Sequence, residues 1–188
     1  MKMLILDRDG VINYDSDEYI KNADELELIP ESLQAIAILT QLGYTMVICT
    51  NQSGIGREMF TVVDLNLIHD KMLKAIEFAG GEIAAIFVCP HHPDDNCECR
   101  KPKPQMIFDI CDRFNIEDVS EVTMIGDSLR DLEAISQAGG NPVWVKTGNK
   151  TIAKSKLPKG TLVFDSLLAF AESLVVTEEE EELHEDQA

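Results

Sequence analysis

Short apolar runs alternate along this chain with amphipathic helical stretches, and that alternation fixes the class of fold it can adopt. Residues 3–6, Met-Leu-Ile-Leu, predict a first buried strand. Leu33, Ile36, Ala37 and Leu39 predict a helix closed by Gly43. Further strands are expected at 44–49, 83–88, 121–125, 143–146 and 161–164. Between them, Leu65, Ile68, Met72, Ile76 and Ala79 follow i, i+3, i+4 spacing up to Gly80-Gly81. Ile107, Ile110, Cys111 and Phe114 mark another buried stripe, and helices are expected at 129–138 and 166–175. Strand-helix alternation of this kind predicts an α/β fold: a doubly wound, Rossmann-like parallel sheet flanked by helices.

The chain has 188 residues, 45% of them hydrophobic, which suits one domain spanning 1–176. No stretch between the first two strands is long enough for a large cap domain. Residues 177–188 are dense in like charge and nearly without apolar anchors, so a disordered acidic tail is expected there. The formal net charge of −18 argues against nucleic acid as a partner, because nucleic-acid binders carry basic faces. The run Met3–Leu6 stops at Asp7, too short for a signal peptide, and no segment approaches membrane-spanning length. The expectation is a cytoplasmic monomer with no membrane association.

In parallel sheets of this type ligands bind beyond the carboxyl ends of the strands. Asp7 follows the first strand and Asp9 follows it by two residues. A carboxylate attacks phosphorus well once a metal screens the repulsion, which suits Asp7 as a nucleophile. Asp9 is then placed to protonate a leaving oxygen and later to deprotonate water. Gly10 lets the chain turn close to a ligand. Thr50-Asn51-Gln52-Ser53-Gly54 follows the second strand and offers a hydroxyl and backbone N–H groups to phosphoryl oxygens. Arg100 and Lys101 supply cations for a transferring phosphoryl group. Asp127, after the fourth strand, has the hard oxygen that Mg²⁺ prefers. Asp131 reads equally as a metal neighbour or as a helix cap.

Residues 89–104 are polar, rich in proline and cysteine, and without periodicity. Cys89, His91, Cys97 and Cys99 present three thiolates and an imidazole within eleven residues, a set that suits structural Zn²⁺. His92 is the weaker histidine candidate. Ordering this loop would aim Arg100 and Lys101, which follow it directly, at the strand ends. Cys49 and Cys111 read as small core residues, and His69 as part of an ordinary helix face. His184 falls in the acidic tail.

Taken in this order, the four motifs resemble those of the haloacid-dehalogenase superfamily. The resemblance covers residues 1–175. It implies Asp7 as nucleophile, Asp9 as general acid/base, and Thr50 and Lys101 as stabilisers of the phosphoryl group. It also implies Mg²⁺ held by Asp7, Asp127 and the backbone carbonyl of Asp9. Possession of Asp9 sets the chain apart from the dehalogenase branch, which lacks that acid/base. Asp-Arg-Asp-Gly, Thr-Asn-Gln-Ser-Gly and Cys-x-Cys-Arg-Lys-Pro together look like the heptose-bisphosphate phosphatases of lipopolysaccharide-precursor synthesis. That likeness implies a small phosphorylated sugar as substrate, with Asn51, Gln52, Ser53 and Arg100 on it and the segment Asp15 to Tyr19 over the sugar. Val11 stands where a threonine is common in those enzymes, and the entry segment is one residue longer than in some of them. Histidinol-phosphate phosphatases share the first motif and the cysteine loop and are the nearest alternative. A non-catalytic zinc-stabilised binding protein is the alternative of another class.

Overall fold

The computed structural model describes residues 2–149 and 151–185. Six strands, β1 (Met3–Leu6), β2 (Thr45–Asn51), β3 (Ala85–Cys89), β4 (Thr123–Gly126), β5 (Asn141–Val145) and β6 (Leu162–Phe164), form one sheet in the order β3-β2-β1-β4-β5-β6. Every neighbouring pair is parallel. The helices are α1 (Pro30–Gln41), α2 (Ser53–Gly56), α3 (Val62–Phe78), α4 (Gln105–Phe114), α5 (Leu129–Ala138) and α6 (Leu167–Glu185). Between β1 and β2 lie only a short turn of 3₁₀ helix at Ala23–Glu25 and α1, so no large cap covers the sheet edge.

Both faces of the sheet are covered, which is why β1 reads as an unbroken apolar run. Leu4 and Leu6 point to one face and pack with Ile36, Leu39, Ile68, Met72 and Phe170 from α1, α3 and α6. Met3 and Ile5 point to the other and pack with Ile107, Ile110 and Ile135 from α4 and α5. Cys49 and Cys111 lie in this second cluster, as their neighbours in sequence suggest. Local signals fix the helix ends. Thr61 and Asp64 form a reciprocal capping box at the start of α3, and Pro30 opens α1. Gly43, at φ +76°, turns the chain out of α1 into β2.

The chain runs from β1 outward to β2 and β3, then returns across β1 to lay down β4, β5 and β6. The connections that leave the carboxyl ends of β1 and β4 therefore pass to opposite faces of the sheet at the point where the winding reverses, and that opens a cleft.

Several boundaries differ from the sequence reading. β2 runs on to Asn51, so Thr50 lies inside the strand rather than after it. Cys89 is the last residue of β3, paired with Asn51, rather than a loop residue. β4 begins at Thr123 because Asp118 accepts the Ser120 N–H and nucleates a 3₁₀ turn over 119–121. Helix α6 continues to Glu185, into the segment expected to be disordered. Extending a formed helix through glutamates costs little, because nucleation is the expensive step. Residues 186–188 of that segment lie outside the described residues.

Helix α6 is part of the core. Leu167, Phe170 and Ala171 are buried at i, i+3, i+4 spacing, and the Phe170 ring meets Phe164 of β6 edge-to-face at 5.4 Å. Phe170→Ala should cost about 3–5 kcal/mol, read as a lowered urea midpoint at unchanged slope.

Candidate active site

Asp7 leaves β1 pinned to the neighbouring strand, its N–H donating to the carbonyl of Ile125 in β4 at 2.9 Å. Its Oδ1 lies 3.0 Å from Lys101 Nζ. The same ammonium lies 2.6 Å from Asp131 Oδ1 and donates a hydrogen bond to the Cys49 carbonyl at 2.6 Å. Lys101 is only 2% exposed. Its backbone is fixed as well: Lys101 N–H donates to Asn51 Oδ1 at 3.1 Å, and Asn51 Nδ2 donates to the Lys101 carbonyl at 3.0 Å. Asn51 thus clips the end of the cysteine loop to the end of β2.

Asp131, in the first turn of α5, caps that helix by accepting the N–H of Ser128 at 3.1 Å and its hydroxyl at 2.5 Å. Its other oxygen, Oδ1, forms the ion pair with Lys101 and has no hydrogen-bond partner. The Asp127 carboxylate has no hydrogen bond among the described residues. Gly10 and Gly148 flank it so closely that a Cβ at either position would collide with it.

Oxygens of Asp7, Asp127 and Asp131 lie within 4.8 Å of one another. Crowding of this kind opposes ionisation. Burial, then Asp131, push Asp7 up to about 7 against the pull of Lys101. Burial, then Asp7 and Asp131, push Asp127 up to about 8. Burial works against the charge on Lys101, but Asp131 and Asp7 outweigh it and raise its pKa. One lysine does not neutralise three carboxylates. A divalent cation with hard-oxygen preference fits the remainder, with free oxygens available on Asp7 and Asp127.

Asp9 is held differently. Arg8 donates to it from Nε at 3.1 Å and from Nη2 at 2.8 and 3.0 Å, Asn13 Nδ2 at 2.9 Å and Gln52 Nε2 at 2.8 Å. Burial alone would raise the Asp9 carboxyl, yet Arg8 and these donors hold it below the usual range. Arg8 is itself buried and reaches His69 Nε2 at 3.4 Å. Burial, then Arg8, push that imidazole down to about 4, so it faces the guanidinium as a neutral acceptor.

Cys89, His91, Cys97 and Cys99 converge. Neighbouring ligand atoms lie 3.7 Å (Cys89–His91), 3.6 Å (Cys89–Cys97), 3.2 Å (His91–Cys99) and 3.5 Å (Cys99–Cys97) apart. Zinc-thiolate bonds of about 2.3 Å at tetrahedral angles place ligand atoms about 3.7 Å apart, so the donor set fits Zn²⁺. Burial, then Cys89 and Cys97, push the Cys99 thiol up to about 12, a cost that a bound cation removes. His92 stays outside the cluster and accepts the Asp94 N–H at the start of a 3₁₀ turn.

A cleft of about 330 Å³ opens above these groups. Thr50, Asn51, Gln52, Ser53, Arg100 and Lys101 line its inner part, and Asp15 and Tyr19 stand at its mouth. Tyr19 Oη lies 3.5 Å from Ser53 Oγ. The sequence-derived candidates therefore meet in one place, although the Asn51 and Gln52 side chains are already engaged with Lys101 and Asp9.

A family model for haloacid dehalogenase-like hydrolases matches residues 1–139. The chain belongs to that family. A protein of Bordetella bronchiseptica named D-glycero-beta-D-manno-heptose-1,7-bisphosphate 7-phosphatase is 54% identical to this hydrolase over 177 residues, 93% of this chain and 98% of its own. A Pseudomonas aeruginosa protein of the same name is 48% identical over 175 residues, 92% and 97% of the two chains. Among solved structures, D,D-heptose 1,7-bisphosphate phosphatase of B. bronchiseptica, complexed with magnesium and phosphate, superposes with a TM-score of 0.91 at 53% identity, covering 94% and 99%.

Sequence reasoning passed over several residues of this hydrolase's site. Arg8, between the two acids of the first motif, was given no role. His69 looked like part of a helix face, and only the fold brings it to Arg8. The segment 147–149 follows β5, so the strand-end rule itself points to it. There Thr147 Oγ1 donates to the Gly10 carbonyl at 2.6 Å and Asn149 Nδ2 to the Asp15 carbonyl at 3.3 Å, and Gly148 makes room for Asp127. Arg57 and Arg130 also line the cleft.

The raised values of Asp7 and Asp127 fix the sign of a pH effect. Both exceed the unfolded value of 3.8, so the folded state binds these protons more tightly, and that contribution to stability is lost as pH rises through about 7 and 8. A cation takes the deprotonated pair. The gain in Tm on adding Mg²⁺ should therefore grow from about pH 6 to about pH 9, read by scanning calorimetry with and without the ion.

Proposed function

We propose that this hydrolase is a Mg²⁺-dependent phosphatase that removes the 7-phosphate of D-glycero-D-manno-heptose 1,7-bisphosphate, a step toward lipopolysaccharide precursors. The reading is supported above all by Asp7 at the sheet's switch point, 3.0 Å from a buried lysine and two residues from a second acid, in a chain 54% identical to a phosphatase of that name.

In this mechanism a carboxylate oxygen of Asp7 attacks the 7-phosphorus. The bond to the sugar oxygen breaks and an aspartyl phosphate forms on Asp7. Asp9 gives its proton to the departing oxygen. Its low pKa suits the carboxylate form, and entry of a phosphate dianion beside it raises that value. A water then attacks the phosphorus while Asp9 takes its proton, which releases inorganic phosphate and restores both acids. Lys101 and Thr50 stabilise the phosphoryl oxygens. Asp7, Asp127 and the backbone carbonyl of Asp9 would hold Mg²⁺, which when bound screens the repulsion between carboxylate and phosphate. Arg100 has a buried Nη1 with no hydrogen-bond partner, as a residue awaiting an anionic ligand would. Asn51, Gln52, Ser53, Asp15 and Tyr19 border the substrate, with the Asn51 and Gln52 side chains acting through Lys101 and Asp9.

Zn²⁺ on Cys89, His91, Cys97 and Cys99 has a structural role: the set is full, and it leaves no open position for chemistry. No helix among the described residues is long and apolar enough to cross a membrane. We place the enzyme in the cytoplasm as a monomer acting on a free sugar, a setting that its net charge of −18 suits better than one with nucleic acid.

The test is Mg²⁺-dependent phosphate release on heptose 1,7-bisphosphate and on histidinol phosphate in parallel. A kcat/KM preference for the heptose, with Asp7→Asn at least about a thousandfold slower, is expected. A preference for histidinol phosphate would keep the mechanism and overturn the substrate.

A further inference from the structure

Three of the chain's five arginines, Arg57, Arg100 and Arg130, line the one cleft that holds Asp7. Arg8 is spent on Asp9, and Arg113 lies over the Phe114 ring, away from the site. Arg57 and Arg130 are exposed at the rim, whereas half-buried Asp7 and buried Lys101 and Asp131 form the floor. Neither rim arginine has an ion pair or a side-chain hydrogen bond among the described residues.

Carboxylates are in easy supply in a chain with 34 acids and 16 lysines and arginines. Asp15 and Asp17 stand on the same rim and pair with neither. Arg130 is also badly placed for local stability. It sits in the first turn of α5, at the positive end of the helix dipole, where a cation is disfavoured by a few tenths of a kcal/mol or more. Arg57 follows the short helix α2 on the opposite bank, beyond the Thr50–Ser53 segment. Two unpaired guanidiniums facing one opening, one of them against local preference, mark a ligand site rather than a stabilising surface.

We propose that Arg57 and Arg130 together bind the second phosphate of the substrate at the rim, while its reacting phosphate sits on the floor. The inference rests on the bisphosphate reading above and names the residues that make the enzyme select it. Guanidinium forks suit a phosphate monoester dianion and bind it in two points each. The site requires that the substrate carry two phosphates at its two ends, and it rewards a sugar long enough to reach from floor to rim. Arg57 and Arg130 are specificity residues; the chemistry at Asp7 does not pass through them.

The experiment compares heptose 1,7-bisphosphate with heptose 7-phosphate for the native enzyme, Arg57→Gln, Arg130→Gln and the double variant. The native enzyme should prefer the bisphosphate. Each single change should raise KM for the bisphosphate about tenfold with kcat little altered, and the double change should shrink the preference about a hundredfold. A double variant that keeps the native KM and the native preference would overturn the inference and leave the bisphosphatase reading standing. A native enzyme with no preference for the bisphosphate would overturn that reading, and the inference with it.

Discussion

Lys101 carries its charge into a site where it is 2% exposed, and there it meets Asp7, Asp131 and the carbonyl of Cys49. Much of the rest of the structure depends on that contact. Without the ammonium, Asp7 and Asp131 would stand as buried like charges beside Asp127, and removing one partner of a buried pair costs about 3–5 kcal/mol. The ammonium offsets part of this repulsion and leaves a residue of negative charge suited to a divalent cation. Asp7 is therefore held at the head of the site, its carboxyl pushed up to about 7 by burial and by Asp131 against the pull of Lys101.

The delivery of Lys101 is as constrained as its contacts. The cysteine cluster ends at Cys99, two residues before it, and Asn51 grips its peptide from both sides. A loop with no core of its own would thus gain order from a metal at one end, and it is tied to a strand at the other. This is how a polar, proline-rich segment can hold a cation 3.0 Å from Asp7. Asp9 is positioned through a separate arrangement: Arg8, buried between Asp9 and His69, fixes one side of its carboxylate while Gln52 and Asn13 fix the other. The two acids of one motif thus sit in opposite electrostatic settings while the site is empty, Asp7 pushed up and Asp9 held down; a cation on Asp7 and a phosphate dianion beside Asp9 would shift each the other way, toward the forms their proposed roles need.

Much of this was legible in the sequence because the signals were local. The apolar runs of β1 and β4 stop at Asp7 and just before Asp127, and ligand spacing in the cysteine loop needs no tertiary knowledge. What escaped depends on contacts between distant segments. Nothing near His69 announces Arg8, which is 61 positions away. Gly148 looks like a loop glycine until the fold brings Asp127 against it. Asn51 and Gln52 read as ligand-binding side chains because their hydrogen-bonding partners, the Lys101 backbone and Asp9, come from other loops. The helical stretch past residue 177 escaped for another reason, since charge density argues for disorder while glutamate propensity and an existing helix argue the other way.

The claim that a single buried ammonium organises this site is tested most directly by Lys101→Gln, assayed for Mg²⁺-dependent phosphate release. The account predicts a fall in kcat of about 100- to 1,000-fold, with zinc content and cooperative unfolding retained. Turnover within a few-fold of the native enzyme would contradict it, and would mean that the carboxylates and their metal work without the lysine.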